Sequence, residues 1–171
     1  MLNSLKLIDL LKNKKYNIEV HEHKGLFTVQ DSREFRGKIR GAHSKNLFLK
    51  NKKNEFFLLS CEENDRFDLK NISKLLNLGN ISFAKEEYLD QYLKIKPGSV
   101  SPFALLNDEN GHVNFYLEKA LYESNHINFH PLINTLTVTM ETNKFIDFMI
   151  ENNKKIHIFS SKDGTVLKIY E

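Results

Sequence analysis

The sequence predicts an α+β (mixed α/β) fold with a curved, largely antiparallel sheet surrounded by helices. Short segments of alternating apolar and polar residues, typical of strands, recur between turn residues along most of the chain. Apolar residues at helical spacing occur near both ends. The chain has 171 residues, is 40% hydrophobic and carries thirteen Phe and six Tyr, which is enough to bury one core. We therefore expect a single domain over residues 1–171.

The first half of the chain opens with a predicted amphipathic helix. Leu2, Leu5 and Leu11 recur at helical spacing, and the helix is expected to end near Asn13. Thr28 begins a Thr-Val-Gln-Asp capping-box pattern, which predicts the start of a short helix. The other elements predicted here are, in chain order, a strand at residues 18–21, a hairpin of strands 47–50 and 56–61, a helix at 72–76, a strand at 81–83 and a helix at 85–93.

The second half resumes after a break at Pro97 and Gly98. Residues 103–107 and 113–117 flank the turn Asp108–Gly111, whose Asn-Gly dipeptide favours a positive φ. Further predicted elements are strands at 127–129 and 136–140, a core helix with Phe145, Phe148 and Met149, a strand at 155–160 and, after an Asp-Gly turn, a last strand at 165–170. The sequence leaves open whether this last strand packs on the same molecule or on a neighbour.

Cysteine content and hydropathy exclude several classes of protein. Cys61 is the single cysteine, so neither a disulfide framework nor a cysteine zinc site can form within the chain. The sequence has neither an apolar run of membrane-spanning length nor a secretory leader. His21 and His23 have a spacing that can bind a metal, but no third ligand follows at a diagnostic distance, and we interpret them as surface histidines. These observations favour a reducing, cytoplasmic setting without a membrane partner.

A basic segment precedes the first strand of the predicted hairpin. It contains Arg33, Arg36, Lys38, Arg40 and Lys45, with few acidic residues between them. The formal net charge of +3 permits a polyanionic partner without requiring one. Because the guanidinium group suits bidentate contacts with phosphate, the segment is a candidate phosphate-binding surface.

Three separated segments together resemble one known family. In residues 43–49 a basic residue enters an apolar strand, residues 96–103 contain a Gly-x-x-x-Pro turn, and residues 128–135 contain His-Pro before an Asn-Thr pair. Their order and approximate spacing resemble the YbaK/prolyl-tRNA editing family, whose freestanding members hydrolyse mischarged aminoacyl-tRNA. The resemblance covers about residues 18–150, which leaves residues 155–171 as a C-terminal extension whose packing is open.

Lys45 stands where an exposed loop enters the strand that contains Leu47 and Leu49. Because side chains alternate along a strand, these three are expected on one face, with the ammonium group at the edge of an apolar-lined cavity. A lysine there can serve as a compact positive charge for a phosphate or hydroxyl group. The resemblance implies that Lys45 is the family's functional lysine and anchors the terminal nucleotide of the tRNA.

The segment from Gly98 to Pro102 predicts a loop that can present backbone N–H groups. Glycine allows close approach and unusual φ angles, and proline restrains the end of the turn. The resemblance implies that Gly98 polarises the ester carbonyl during catalysis. The neighbours implied to bind the substrate are Ser99, Val100, Ser101 and Pro102. Neither serine lies in a Gly-x-Ser-x-Gly elbow, so no serine nucleophile is predicted.

Pro131 biases His130 towards an extended backbone at the end of a predicted strand. In the family that the chain resembles, the matching histidine borders the aminoacyl pocket and helps to set its size. Asn134 resembles the polar end of the same segment, and Thr28 resembles a threonine-bearing turn near the pocket. The resemblance therefore implies that His130, Asn134 and Thr28 bind the substrate.

The resemblance implies a trans-editing aminoacyl-tRNA deacylase that removes alanine from mischarged Ala-tRNA(Pro). Its partner would be the acceptor end of an aminoacyl-tRNA, with a possible association with prolyl-tRNA synthetase or a translation factor, and no metal or other cofactor is implied. Three alternatives stay open. One is a deacylase for Cys-tRNA(Pro) or another small residue, the second is a non-catalytic tRNA-binding or regulatory module, and the third is an α+β interaction domain that matches the family by chance. The sequence also leaves the oligomeric state open.

Overall fold

The computed structural model describes residues 1–25, 39–64 and 68–171. Its elements are, in chain order, α1 (Ser4–Asn13), β1 (Glu19–Glu22), β2 (Ala42–Asn51), β3 (Phe56–Glu62), α2 (Leu69–Leu75), β4 (Ile81–Phe83), α3 (Glu86–Tyr88), a π-helical turn (Leu89–Leu93), a 3₁₀ helix (Pro102–Asn107), β5 (Val113–Glu118), α4 (Lys119–Glu123), β6 (His126–Phe129), β7 (Leu136–Glu141), α5 (Thr142–Glu151), β8 (Ile156–Phe159) and β9 (Val166–Tyr170). None of the helices in the described ranges is long and apolar enough to cross a membrane.

One sheet of nine described strands runs through the molecule. Its order is β1-β7-β6-β2-β3-β5-β8-β9, and β4 pairs with β2 outside this path. Three pairings are parallel, namely β2 with β6, β3 with β5 and β5 with β8. The other five are antiparallel. The predicted α+β fold with a largely antiparallel sheet is therefore confirmed.

The β2–β3 hairpin is closed by a side chain at the end of β2. Asn51 is buried, and its Oδ1 accepts hydrogen bonds from the backbone N–H groups of Lys53 and Glu55. Asn54 takes a φ of 60°, a left-handed conformation that asparagine adopts more readily than most residues. The polar segment thus ends one strand and reverses the chain, as the sequence predicts.

The main core lies on one face of the sheet, against α1, α5 and the 3₁₀ helix. Phe103 is completely buried, and its ring centroid lies 5.9, 5.8 and 5.9 Å from those of Phe129, Phe145 and Phe148. All three contacts are edge-to-face, a geometry that contributes about 0.5–1.5 kcal/mol per pair beyond burial. The 3₁₀ helix is thereby anchored against β6, the strand that ends just before His130.

The opposite face of the sheet carries a smaller apolar cluster. Leu49, Phe57 and Leu59 of the hairpin form it together with Ile72 of α2. Cys61 is also a fully buried member of this cluster. The cluster covers the hairpin, whereas the part of this face formed by β1, β7 and β6 carries polar side chains.

Two segments differ from the geometry that the sequence suggests. The segment before the Asp108–Gly111 turn is a 3₁₀ helix, so this turn does not close a hairpin. Pro102 occupies the start of that helix, and Ser101 Oγ accepts a hydrogen bond from the Phe103 N–H. The predicted helix at residues 85–93 is α-helical only as far as Tyr88 and continues as a π turn.

β9 pairs antiparallel with β8 of the same molecule, which settles the question that the sequence leaves open. The hydroxyl of Tyr170 in β9 lies 2.8 Å from that of Tyr122 in α4. The turn before β9 needs a glycine, because Gly164 has a φ of 64° and a Cβ there would lie 2.4 Å from atoms of Leu75. The C-terminal strand therefore extends the sheet of its own chain.

Removal of the Phe103 ring should destabilise the fold strongly. Phe103→Ala is expected to lower the free energy of unfolding by about 3–5 kcal/mol, because a completely buried ring leaves a cavity. Phe83→Ala is the matched control, since the Phe83 side chain is 64% exposed in β4 and its loss should change the free energy by less than about 0.5 kcal/mol. Urea denaturation of both variants measures the difference, and equal effects would contradict this assignment of the core.

Candidate functional site

The candidate site is a cleft along one edge of β2. On this edge β2 pairs with β6 at Ala42 and His43 and with β4 at residues 49–51. Between those two stretches no described strand covers the edge, while β3 covers the other edge from Ser44 onwards. The described residues enclose a space of about 60 Å³ here. It is lined by His43, Ser44, Asn46, Glu63, Asn128, Phe129, His130 and Thr137.

Polar side chains gather on the sheet face next to the cleft. Asn128 of β6 stands opposite Thr139 of β7, and His21 of β1 stands opposite Thr137 of β7. Their apolar neighbours in the strands belong to the main core on the other face. These neighbours are Ile127, Phe129, Val138 and Met140. Alternation therefore separates an apolar core face from a polar face along these strands.

Lys45 itself is not among the described residues that line the cleft, whereas its neighbours in β2, Ser44 and Asn46, are. It stands opposite Cys61 in the β2–β3 pairing and is partly buried. Strand alternation places its side chain on the same face as those of His43 and Leu47. The expectation that the lysine and the apolar strand residues share a face agrees with this register, and it brings Lys45 to the junction of the apolar cluster and the polar face.

His130 presents an acceptor nitrogen at the cleft. Its Nδ1 lies 2.8 Å from the carbonyl oxygen of Leu136. Because that oxygen can only accept, Nδ1 carries the proton and donates the hydrogen bond. Burial lowers the pKa of His130 and so favours the neutral ring. In the neutral ring the second nitrogen, Nε2, carries a lone pair and accepts hydrogen bonds. His130 can therefore accept a hydrogen bond from a substrate group.

The interpretation as a surface histidine is wrong for His23, whereas 25% of the His21 side chain is exposed. His23 is only 8% exposed, its Nε2 lies 2.9 Å from Thr137 Oγ1 and its Nδ1 lies 2.8 Å from the Lys24 carbonyl oxygen. Its ring centroid is 5.8 Å from that of His130. Both histidines are fixed by threonines of β7, since His21 Nε2 lies 3.1 Å from Thr139 Oγ1. Within the described ranges, no group of three His, Cys, Asp or Glu side chains could hold a metal ion.

The Gly98 loop lies before the 3₁₀ helix. Gly98 is exposed with a φ of 82°, whereas Ser99, Ser101 and Pro102 are buried and Val100 packs partly against the main core. Ser101 caps the 3₁₀ helix, a structural role that the sequence does not reveal. None of these residues is among the described residues that line the cleft.

Two other predicted site residues lie apart from the cleft lining or outside the described part of the chain. Asn134 is half-buried in the turn between β6 and β7. Thr28 and its capping box fall within residues 26–38, outside the described residues. Their assignment to the substrate site stays a prediction.

Several cleft residues were missed by the sequence analysis. Ser60 Oγ donates to Asn46 Oδ1, Asn46 Nδ2 lies 3.4 Å from Ser44 Oγ, and Ser44 Oγ donates to the carbonyl oxygen of Asn128. This polar chain fixes the side chains along the open edge of β2. The available signal was a pair of alternating patterns, His-x-His at residues 21–23 at the end of β1 and Thr-x-Thr in β7, which together indicate a polar sheet face.

Comparison with known proteins identifies one family. The aminoacyl-tRNA editing domain family matches residues 23–148. Prolyl-tRNA synthetase associated domain-containing protein 1 from Bos taurus is 38% identical over 136 residues, which cover 77% of this chain and 79% of that protein. Prolyl-tRNA editing protein ProX from Acetoanaerobium sticklandii is 31% identical over 135 residues, which cover 78% of this chain and 82% of that protein.

A solved structure supports the same fold. It is the crystal structure of a candidate trans-editing enzyme for prolyl tRNA synthetase, with a TM-score of 0.66 over 91% of this chain and 96% of that chain at 15% identity. The family match and the two relatives show that this chain belongs to the aminoacyl-tRNA editing domain family. The resemblance that rests on the three sequence segments is therefore confirmed.

The buried state of His130 predicts a pH dependence of stability. Because burial lowers the pKa of His130 in the folded protein, the unfolded chain binds the proton more readily between the two pKa values. The contribution to the free energy of unfolding should be complete above about pH 6.5 and should be lost as the pH falls below that value. His130→Gln should remove this contribution.

Urea denaturation of wild type and His130→Gln at several pH values, from about 7.5 to about 5, tests this prediction. His157 also has a lowered pKa through burial, but both proteins retain it, so the difference between them isolates His130. Identical pH dependence in the two proteins would show that the His130 ring is not held in its neutral form by the fold.

Proposed function

We propose that this protein is a trans-editing aminoacyl-tRNA deacylase that hydrolyses Ala-tRNA(Pro). The observation that carries the proposal is a cleft of about 60 Å³ between the strand that bears Lys45 and the end of the strand that leads to His130. A space of this size suits a small side chain. The names of the relatives, prolyl-tRNA editing protein and prolyl-tRNA synthetase associated domain-containing protein, support proline tRNA as the carrier.

The need for such an activity follows from the limits of size discrimination. A synthetase pocket built for proline cannot strongly exclude a smaller amino acid, since a missing methylene changes binding by only about 1–3 kcal/mol. A second site that admits the smaller product and excludes the cognate one corrects the error. In this proposal the cleft of the editing domain acts as that second site.

Lys45 is proposed to anchor the terminal nucleotide of the tRNA. Its ammonium group is a compact donor for phosphate or hydroxyl oxygens, and its neighbours in β2, Ser44 and Asn46, line the cleft. The acceptor end is a polyanion, so the contact positions the ester without reading a base. We infer that the acceptor end of the tRNA is the partner, in a cytoplasmic setting and in association with prolyl-tRNA synthetase.

The ester is then hydrolysed by water. The water oxygen forms a bond to the carbonyl carbon, the ester C–O bond breaks, and the ribose oxygen takes up a proton, which releases alanine and tRNA. The neighbouring ribose hydroxyl assists the water. Gly98 is proposed to donate its backbone N–H to the developing oxyanion. The contact between Phe103, which follows the loop, and Phe129 of the cleft lining supports this proposed placement.

The remaining residues bind and select the substrate. His130 forms part of the pocket wall and offers Nε2 as an acceptor. The other residues proposed to contact the substrate are Thr28, Ser99, Val100, Ser101, Pro102 and Asn134. The protein accelerates the reaction mainly by positioning the ester and the water, because holding reactants in place can account for a large part of the lowering of the activation free energy.

Deacylation of Ala-, Cys- and Pro-charged tRNA(Pro) by the purified protein tests the proposal. Fastest release of alanine with little release of proline is expected. Faster release of cysteine would instead identify a Cys-tRNA(Pro) deacylase. Binding of the tRNA without release of any amino acid would identify a non-catalytic module and reject the enzymatic function.

Lys45→Met should abolish most of this activity while leaving the fold intact. Loss of the nucleotide anchor is expected to reduce the deacylation rate on the order of 100-fold, since small errors of position cost this much. Lys50→Met is the control, because Lys50 lies in the same strand but bonds to Asn54 of the hairpin loop. Initial rates under identical conditions measure the difference, and equal rates would remove Lys45 from the site.

His130→Ala should relax the selectivity for alanine over proline. A wall that lacks the imidazole ring leaves room for one or two more methylenes, which is worth about 1–3 kcal/mol of discrimination, or about 10- to 200-fold in relative rate. The measurement is the ratio of initial rates on Ala-tRNA(Pro) and Pro-tRNA(Pro). His112→Ala, at an exposed site outside the cleft lining, should leave the ratio unchanged. A ratio that His130→Ala also leaves unchanged would exclude His130 from the pocket wall.

A further inference from the structure

The segment that leads into β2, residues 40–44, is held by one buried amide and is called the entering segment below. Asn128 is 3% exposed, and its Nδ2 donates to the carbonyl oxygens of Arg40 at 2.9 Å and Ala42 at 3.1 Å. The backbone carbonyl oxygen of Asn128 accepts a hydrogen bond from Ser44 Oγ at 2.9 Å. One residue of β6 thus fixes three successive points of the segment that delivers Lys45.

The orientation of this amide is set from the other side. Asn128 Oδ1 accepts a hydrogen bond from Thr139 Oγ1, which is 1% exposed. Since a threonine hydroxyl has one proton to donate, His21 Nε2 must be the donor in its contact with the same oxygen. An amide so held cannot exchange its oxygen and nitrogen without losing these bonds and placing its oxygen against two carbonyl groups.

Charged side chains also connect His21 to the entering segment. Glu19 lies 3.6 Å from His21 Nε2 and forms an ion pair with the guanidinium group of Arg40. This ion pair is substantially exposed and contributes little energy. The buried hydrogen bonds of Asn128 and Thr139 determine the geometry, because a buried polar group that loses its partner destabilises the fold.

The backbone of the entering segment packs closely against β6. Gly41 has a φ of 89°, and a Cβ there would lie 2.7 Å from Cβ and the carbonyl oxygen of His126. Strand pairing between β2 and β6 involves only Ala42 and His43 on the β2 side. The Asn128 amide therefore acts at the last point where the two strands touch before the cleft opens.

We propose that Asn128 is a positioning residue that sets the location of Lys45, with Thr139 fixing the orientation of its amide. The inference rests on the proposed function for its catalytic consequence. Lys45 lies three residues beyond Ala42 in the same strand, so a displacement of the Arg40–Ala42 segment is carried directly into the side chain that anchors the substrate. Neither Asn128 nor Thr139 has to touch the reacting atoms.

Asn128→Asp is the first test, because it keeps the shape of the side chain and removes both N–H donors. Its kcat for deacylation of Ala-tRNA(Pro) should fall on the order of 10- to 100-fold, with a much smaller change in KM, because the rest of the tRNA contact is untouched. Asn114→Asp is the matched control, an exposed asparagine in strand β5 whose side chain lies near Phe56, away from the cleft. It should leave kcat and KM unchanged.

Thr139→Val is a second variant in case Asn128→Asp does not fold. Valine keeps the branched shape favoured in strands and removes the hydroxyl donor to Asn128. It should also lower kcat, while Thr139→Ser, which retains the hydroxyl, should restore most of the activity. A purely structural role would instead lower stability in step with activity, so urea denaturation is measured in parallel.

A readout without substrate separates this proposal from the proposed function. In protein labelled with ¹³C at the lysine ε-carbons, the NMR signal of Lys45 is identified by its absence in Lys45→Arg. It should shift in Asn128→Asp and Thr139→Val and stay in place in Asn114→Asp. An unmoved Lys45 signal in folded Asn128→Asp and Thr139→Val would overturn the positioning role. If the wild type is inactive but the Lys45 signal shifts in both variants, the deacylase function is rejected and the positioning role is upheld.

Discussion

The site depends on the way in which one edge of β2 is shared between two partners. A strand edge has one set of backbone groups, and this edge pairs with β6 at its start and with β4 at its end. The two partners pair with different stretches of β2. In the described part of the chain, the edge between these two stretches faces the cleft. This divergence shapes the cleft between β2 and the end of β6.

The edge of β2 between its two partners lacks hydrogen bonds to any strand in the described ranges, although it lies inside the sheet. Buried backbone and side-chain groups near the gap must find hydrogen-bond partners. The structure provides them through short polar side chains on the strands that flank the gap. Asn128 bonds to the entering chain, and Ser44 and Asn46 bond along β2. Asn128 belongs to the polar face of the sheet, so this face is part of the structural solution as well as part of the candidate site.

Much of the fold could be predicted because it is encoded locally. The β2–β3 hairpin, α1 and α5 each arise from a periodicity within about ten residues. The 3₁₀ helix at Pro102–Asn107 was not recognised because its first residues are buried in succession and show no period. The partner of β9 could not be predicted because strand pairing over such separations depends on the whole sheet.

The site was accessible to sequence reasoning only in part, for a similar reason. Lys45 and His130 could be singled out because each lies in a short segment that resembles a known family. Asn128 lies in such a segment too, but its role depends on Arg40, Ala42 and Thr139, which belong to other elements. No pattern within one segment encodes that combination. The burial of His23 was not foreseen because its threonine partner, Thr137, lies more than 100 residues away in the chain.

Selection by volume requires walls that do not relax. A cleft of about 60 Å³ could widen for a larger side chain if its walls were held only by apolar contacts, since apolar cores tolerate repacking at modest cost. Here the walls are tied by directional hydrogen bonds from His130 to Leu136 and from Asn128 to the entering chain. Displacing either wall would leave a buried polar group without its partner, at about 1–3 kcal/mol each. This cost is similar to the whole discrimination that a size filter can supply. The polar network that closes the sheet around the cleft is thus what would allow so small a difference in side-chain volume to be resolved.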